Sequence, residues 1–137
     1  MDVIHAKARM ITDTQFALDN GRNHCLISDQ PSETSEGMGP TPLELCVMSH
    51  AGCYAVTVAS MARKMRIPLL GLEVKVEAEK GKETGTIAEE NFDILIRADA
   101  SDDRIQRMHE LSLEHCTVGK LYEKAGVKLI YNVRSSK

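Results

Sequence analysis

Hydrophobic positions along this chain change period several times, and each change marks an element. Residues 3–9 and 14–18 read as short strands, and Asp19-Asn20-Gly21 between them and residues 23–28 reads as a hairpin turn, since Asn-Gly accepts positive φ. Residues 29–41 are dense in Gly, Pro and Ser and read as a loop. Thr41-Pro42-Leu43-Glu44 is a capping-box pattern with proline at the first helical position. It predicts a helix from Pro42 to about Arg66, stopped by Pro68 and roughly 37 Å long. Between Leu45 and Ala62 that helix holds no Asp, Glu, Lys or Arg, and its apolar residues run all round it. Such a helix is expected inside a core or a subunit interface. Arg63, Lys64 and Arg66 close it, matching the negative end of the helix dipole.

The period then drops to two. Leu72, Val74, Val76 and Ala78 alternate with Glu73, Lys75, Glu77 and Glu79, which is a strand with one wet face. Residues 80–86 read as a turn, and Phe92, Ile94 and Ile96 mark the partner strand. Ser101-Asp102-Asp103 opens a helix with Ile105, Met108, Leu111 and Ser112 on one face. That helix is expected to break near His115–Cys116, where another starts and runs to Ala125, with Gly126 as its C′ residue. Residues 127–133 form a last strand. The order is β-β-β-α-β-β-α-α-β, an α+β fold in a single domain covering residues 1–137.

Composition narrows the class. The chain has 137 residues, 42% hydrophobic and 27% charged, which suits one self-sufficient core. A net charge of −3 argues against a nucleic-acid partner. No unbroken apolar run of membrane-spanning length is seen, so no membrane partner is expected. The N-terminus has an acid at position 2 and no following apolar stretch, so it does not read as a signal peptide, and a cytoplasmic location is expected.

The four cysteines stand at 25, 46, 53 and 116 with no C-x-x-C spacing. Cys25 and Cys46 are expected as small buried hydrophobes. Cys53 and Cys116 differ, because each falls in helix context and the two can meet only in the fold. His50 lies three residues before Cys53, on the same helical face, where an imidazole can favour a thiolate. Cys116 stands at a predicted helix start, near the positive end of a dipole. His50, Cys53, His115 and Cys116 would make a Cys₂His₂ metal site if they converged, although their spacing matches no common zinc pattern. A redox sensor or a small-molecule binding module is a further reading. Phe16, Met38, Met48 and Tyr54 are candidates to line an apolar pocket.

The segments Gly39-Pro-Thr-Pro-Leu-Glu-Leu45, Ser49-His-Ala-Gly-Cys53 and His115-Cys-Thr-Val-Gly-Lys-Leu121 together resemble the OsmC/Ohr family, the osmotically induced and organic hydroperoxide resistance proteins. The element order resembles that family over nearly the whole chain. The resemblance implies an intertwined homodimer with the long cysteine helices packed centrally. It also implies a thiol peroxidase that needs no cofactor or metal: Cys53 would attack the hydroperoxide, Cys116 would resolve it to a disulfide, and a dithiol reductant would restore the pair. Two positions depart from the family pattern. The glutamate that precedes the peroxidatic cysteine by ten residues is Leu43 here, and Glu44, roughly 900° of helix away from Cys53, reads as a cap. The proline that often follows the resolving cysteine is Thr117. For the arginine that the family pairs with its glutamate, Arg22 in the first hairpin is the nearest candidate and Arg9 a weaker one.

Overall fold

The computed structural model describes residues 2–33 and 36–137. Met1, and Thr34 and Ser35 of the expected loop, lie outside the described residues. The elements follow the expected order: β1 (Lys7–Met10), β2 (Gln15–Asp19), β3 (Cys25–Asp29), α1 (Pro42–Met65), β4 (Leu69–Lys80), β5 (Ile87–Ala98), α2 (Asp102–His115), α3 (Thr117–Lys124) and β6 (Lys128–Ser136). They fall into two compact units, residues 1–46 and 47–137.

In the first unit β1, β2 and β3 form an antiparallel sheet in sequence order. The β2–β3 turn places Gly21 at φ 75° and Asn23 at φ 65°. Asp19 and Asn20 hold it by accepting from the Gly21 and Arg22 N–H groups at 3.1 and 2.9 Å, the local chemistry that favours these residues in turns. Asp29 is fully buried at the end of β3. Its Oδ2 accepts from Met38 N at 2.8 Å and Gln15 Nε2 at 3.2 Å, which ties the loop back to the sheet. The capping box forms completely: Glu44 N donates to Thr41 Oγ1 at 3.1 Å, and Thr41 N donates to Glu44 Oε1 at 2.9 Å.

The second unit is a sheet of order β4-β5-β6 with β5 in the middle, antiparallel to β4 and parallel to β6. Parallel pairing needs a long crossover, and α2 with α3 supplies it. On β5 the row Glu90, Phe92, Ile94, Ile96 and Ala98 is wholly buried. Phe92 and the two isoleucines stabilise the fold by about 1.5–3 kcal/mol each. They pack in one core with Tyr54, Val58, Met61 and Ala62 of α1 and Ile105 and Met108 of α2.

Helix α1 departs from expectation in two ways. By length and composition alone it is apolar enough to cross a membrane, contrary to the reading that no such run exists. Its buried residues nevertheless form one stripe, His50, Tyr54, Val58, Met61 and Ala62, as in a core helix. Met48 and Val56, expected to be covered, are 57% and 64% exposed. Its end is also set differently. Arg66 takes φ 54°, with Arg66 N donating to Arg63 O at 3.2 Å and Ile67 N to Ala62 O at 2.9 Å. This Schellman pair stops the helix before Pro68 can act. Helix α3 ends in the same way with the expected residue, Gly126, at φ 79°. Cys25 and Cys46 are exposed rather than buried, because β3 turns its Cys25–Ile27 end to solvent and Cys46 lies on an uncovered side of α1.

Candidate thiol site

The site is built where one residue interrupts two helices. Cys116 is both the C-cap of α2 and the N-cap of α3, with φ −77° and ψ 102°. That extended conformation starts α3 in a new direction. The first N–H groups of a helix have no intrahelical acceptor, and here those of Thr117, Val118 and Gly119 act on two sulfur atoms. One is Cys116 itself, 2% exposed. The other is Cys53, half-buried on α1, whose Sγ lies 3.6 Å from Thr117 Oγ1. The two cysteine side chains lie close enough for each to influence the protonation of the other. They meet as reduced thiols, with no disulfide between them.

These surroundings drive the two thiols apart. Burial pushes Cys53 up, but the Val118 N–H, the Thr117 hydroxyl, the Cys116 thiol and the Thr117 N–H outweigh it and hold Cys53 below the ordinary thiol value. Burial pushes Cys116 up to about 11; the Gly119 and Val118 N–H groups oppose this, while the bond to Cys53 and its charge add to it. One sulfur is therefore favoured as thiolate and the other as the thiol that donates to it.

His50, though three residues from Cys53, turns its ring inward. The ring is buried between Tyr122, stacked at 4.5 Å, and Phe92, edge-on at 4.7 Å. His50 Nδ1 lies 2.6 Å from Glu90 Oε1, and Glu90 is itself fully buried. The Oε2 atom of Glu90 has no hydrogen-bond partner among the described residues. At the other side of the ring, Nε2 lies 3.3 Å from where a Cβ on Gly119 would sit, and Cys116 Sγ lies 3.3 Å from the same point. Glycine at 119 is what lets α3 close over both atoms. Beyond Cys116, Tyr54 Oη and His109 Nδ1 share a hydrogen bond of 2.6 Å. Burial pushes the Tyr54 phenol well up and the His109 imidazole down, so both stay neutral. Tyr54 is thus core, while Met48 is exposed, and Phe16 and Met38 belong to the other unit.

Of the other expected residues, Arg22 sits in the β2–β3 turn of the first unit and is exposed, as is Arg9 on β1. Leu43 is 37% exposed in the first turn of α1, where Glu44 caps the helix. His115 donates from Nδ1 to Leu111 O at 2.8 Å on an exposed surface. Among the described residues no three His, Cys, Asp or Glu side chains converge as metal ligands, so the Cys₂His₂ arrangement does not assemble. The sequence reading missed Glu90, Gly119 and the Thr117 hydroxyl. Glu90 had a signal: it shares the parity of Phe92, Ile94 and Ile96, and an acid on a buried row is unusual.

Comparison with known proteins agrees with this architecture. The profile of the family described as OsmC-like protein matches residues 35–132. Protein YhfA of Escherichia coli K12 is 26% identical over 125 residues, covering 89% of this chain and 91% of its own. The solved OsmC-like protein of Mycoplasma pneumoniae superimposes with a TM-score of 0.88 at 18% identity, with 99% of each chain covered. The organic hydroperoxide resistance protein OhrB of Bacillus subtilis gives 0.66 at 15% identity, covering 97% of this chain and 98% of that one. At those identities the two solved structures share the fold with this chain.

Proposed function

Since the chain belongs to the OsmC-like protein family, we propose that it is a thiol-dependent peroxidase that reduces organic hydroperoxides through Cys53 and Cys116. The observation that carries this reading is the paired thiols, one held below its ordinary value by the start of α3 and the other buried against it. A thiolate is the nucleophile that peroxides require. The Cys53 thiolate attacks the distal peroxide oxygen, the O–O bond breaks, and the alkoxide leaves as alcohol after taking a proton. Cys53 becomes a sulfenic acid. The Cys116 thiol displaces the hydroxyl as water and forms the Cys53–Cys116 disulfide, which a cellular dithiol reduces by exchange.

Substitution of the four cysteines tests this. Cys53→Ser is expected to abolish peroxide consumption, since a hydroxyl is not ionised at neutral pH. Cys116→Ser is expected to consume one equivalent and stall. Cys25→Ser and Cys46→Ser, at exposed positions, are expected to turn over normally. If Cys116→Ser fails to consume one equivalent while Cys53→Ser succeeds, the roles are reversed. If neither change matters, the thiols serve a sensor or binding function instead, a reading that the exposed Leu43 at the family's glutamate place favours.

The active assembly in this proposal is a homodimer. The exposure of Met48 and Val56 on α1 and Leu70 on β4 supports it, because a second copy would cover apolar surface that the single chain leaves open.

A further inference from the structure

Cys116 has a chemical difficulty. To resolve a sulfur adduct on Cys53 it must attack as a thiolate, yet its burial favours the protonated form. We propose that His50, oriented by Glu90, is the general base that takes the Cys116 proton. The inference rests on the two-thiol reading and adds a His–Glu pair to it.

The geometry is that of a buried nucleophile, base and orienting acid. His50 Nδ1 lies 2.6 Å from Glu90 Oε1; in the proposed relay the carboxylate accepts from Nδ1–H, which makes Nε2 the basic nitrogen. Stacking on Tyr122 and the edge of Phe92 fix the plane of the ring. Nε2 then faces the space beside Gly119, where Cys116 Sγ also lies. A positive charge that develops on the ring meets a carboxylate whose other oxygen is unpartnered among the described residues. Without such a role, a fully buried glutamate on the strand row of Phe92 and Ile94 is a large desolvation cost.

The step balances. The Cys116 S–H proton passes to His50 Nε2 as the Cys116 sulfur attacks the Cys53 sulfenic sulfur. The S–S bond forms and the S–O bond breaks. The Cys116 sulfur is oxidised, the Cys53 sulfur is reduced, and the imidazolium proton completes the departing water. Other groups that interact with Cys116 are Cys53 and Tyr54 from α1 and Tyr131 from β6, and Glu90 from β5 acts on Tyr131. Burial pushes the Tyr131 phenol up to about 12, with the charges of Cys116, Glu123 and Glu90 adding to it, and Tyr54 is higher still. Neither phenol is suited to accept the proton.

The test uses no peroxide. In a Cys25→Ser, Cys46→Ser background, Cys53 is converted to its mixed disulfide with one equivalent of Ellman's reagent. Attack by Cys116 then releases a second coloured thiolate. His50→Gln is expected to slow that second release roughly 100-fold and Glu90→Gln about tenfold, the usual range for a lost base and a lost orienting group. Folded variants that release it within about twofold of the parent rate overturn the proposal. Should neither variant fold, the parent's own pH profile decides. With an internal base the rate levels off well below pH 11; a tenfold rise per pH unit all the way to about 11, the value of the Cys116 thiol, overturns it. Failure of hydroperoxide turnover alone would remove the peroxidase reading and leave this relay standing.

Discussion

At the scale of single residues, the site depends on atoms that the sequence presents as ordinary. Thr117 stands where the family often has proline, and its hydroxyl is one of the groups that lower the Cys53 thiol. Alkylation proceeds through the thiolate, so its rate rises with pH and levels off above the thiol's pKa. Because Cys53 is lowered from 9.0, the midpoint of its curve is expected below pH 9. Thr117→Val removes a donor to the thiolate, which moves the midpoint upward and lowers the rate at neutral pH several-fold. Mass spectrometry of the Cys53 peptide after timed alkylation measures this, and an unshifted midpoint would exclude the hydroxyl as a contributor. Gly119→Ala probes the other side of the site. A methyl group there would meet Cys116 Sγ and His50 Nε2 at 3.3 Å each, closer than normal contact. Alanine is the better helix former by about 1 kcal/mol, yet the variant is expected to melt lower than the parent, and a higher melting temperature would mean that α3 has room to spare.

At the scale of elements, the periodicities were legible because each is a local property. The capping box set the start of α1, Gly126 set the end of α3, and the alternation through Phe92, Ile94 and Ile96 set β5. What local pattern did not carry was the effect of tertiary surroundings. Nothing in the sequence near Glu90 says that its partner lies on α1, forty residues earlier. Local pattern assigns the stop of α1 to Pro68, whereas Arg66 makes it by adopting a left-handed conformation. The side chain at that position carries a backbone cost of about 1–2 kcal/mol. Arg66→Gly is therefore expected to stabilise the protein by roughly 1 kcal/mol, less the small loss from unfolded-state freedom. Chemical denaturation with an unchanged slope and a higher midpoint is the expected result; a lower midpoint would mean that the arginine side chain contributes more than its backbone conformation costs.

At the scale of the whole molecule, the exposed apolar side of α1 separates a lone chain from an assembly. Val56 is 64% exposed, so an aspartate there costs little if that surface faces water. It costs several kcal/mol if a second copy covers it, because the charge is then buried without a partner. The parent is expected to sediment as a dimer at micromolar concentration, and Val56→Asp as a monomer or an unfolded chain. A folded dimer for Val56→Asp would place the contact on another surface.

The junction at Cys116 also has a consequence in electrochemical terms. The N–H groups, hydroxyl and thiol that lower Cys53 act on a negatively charged sulfur, and they lose that charge when the sulfur enters a disulfide. They therefore stabilise the reduced state over the oxidised one. One pKa unit of such stabilisation is worth about 1.4 kcal/mol, which for a two-electron couple raises the potential by roughly 30 mV. In the proposed cycle the start of α3 thus makes the Cys53–Cys116 disulfide easier to open as well as making the thiolate easier to form.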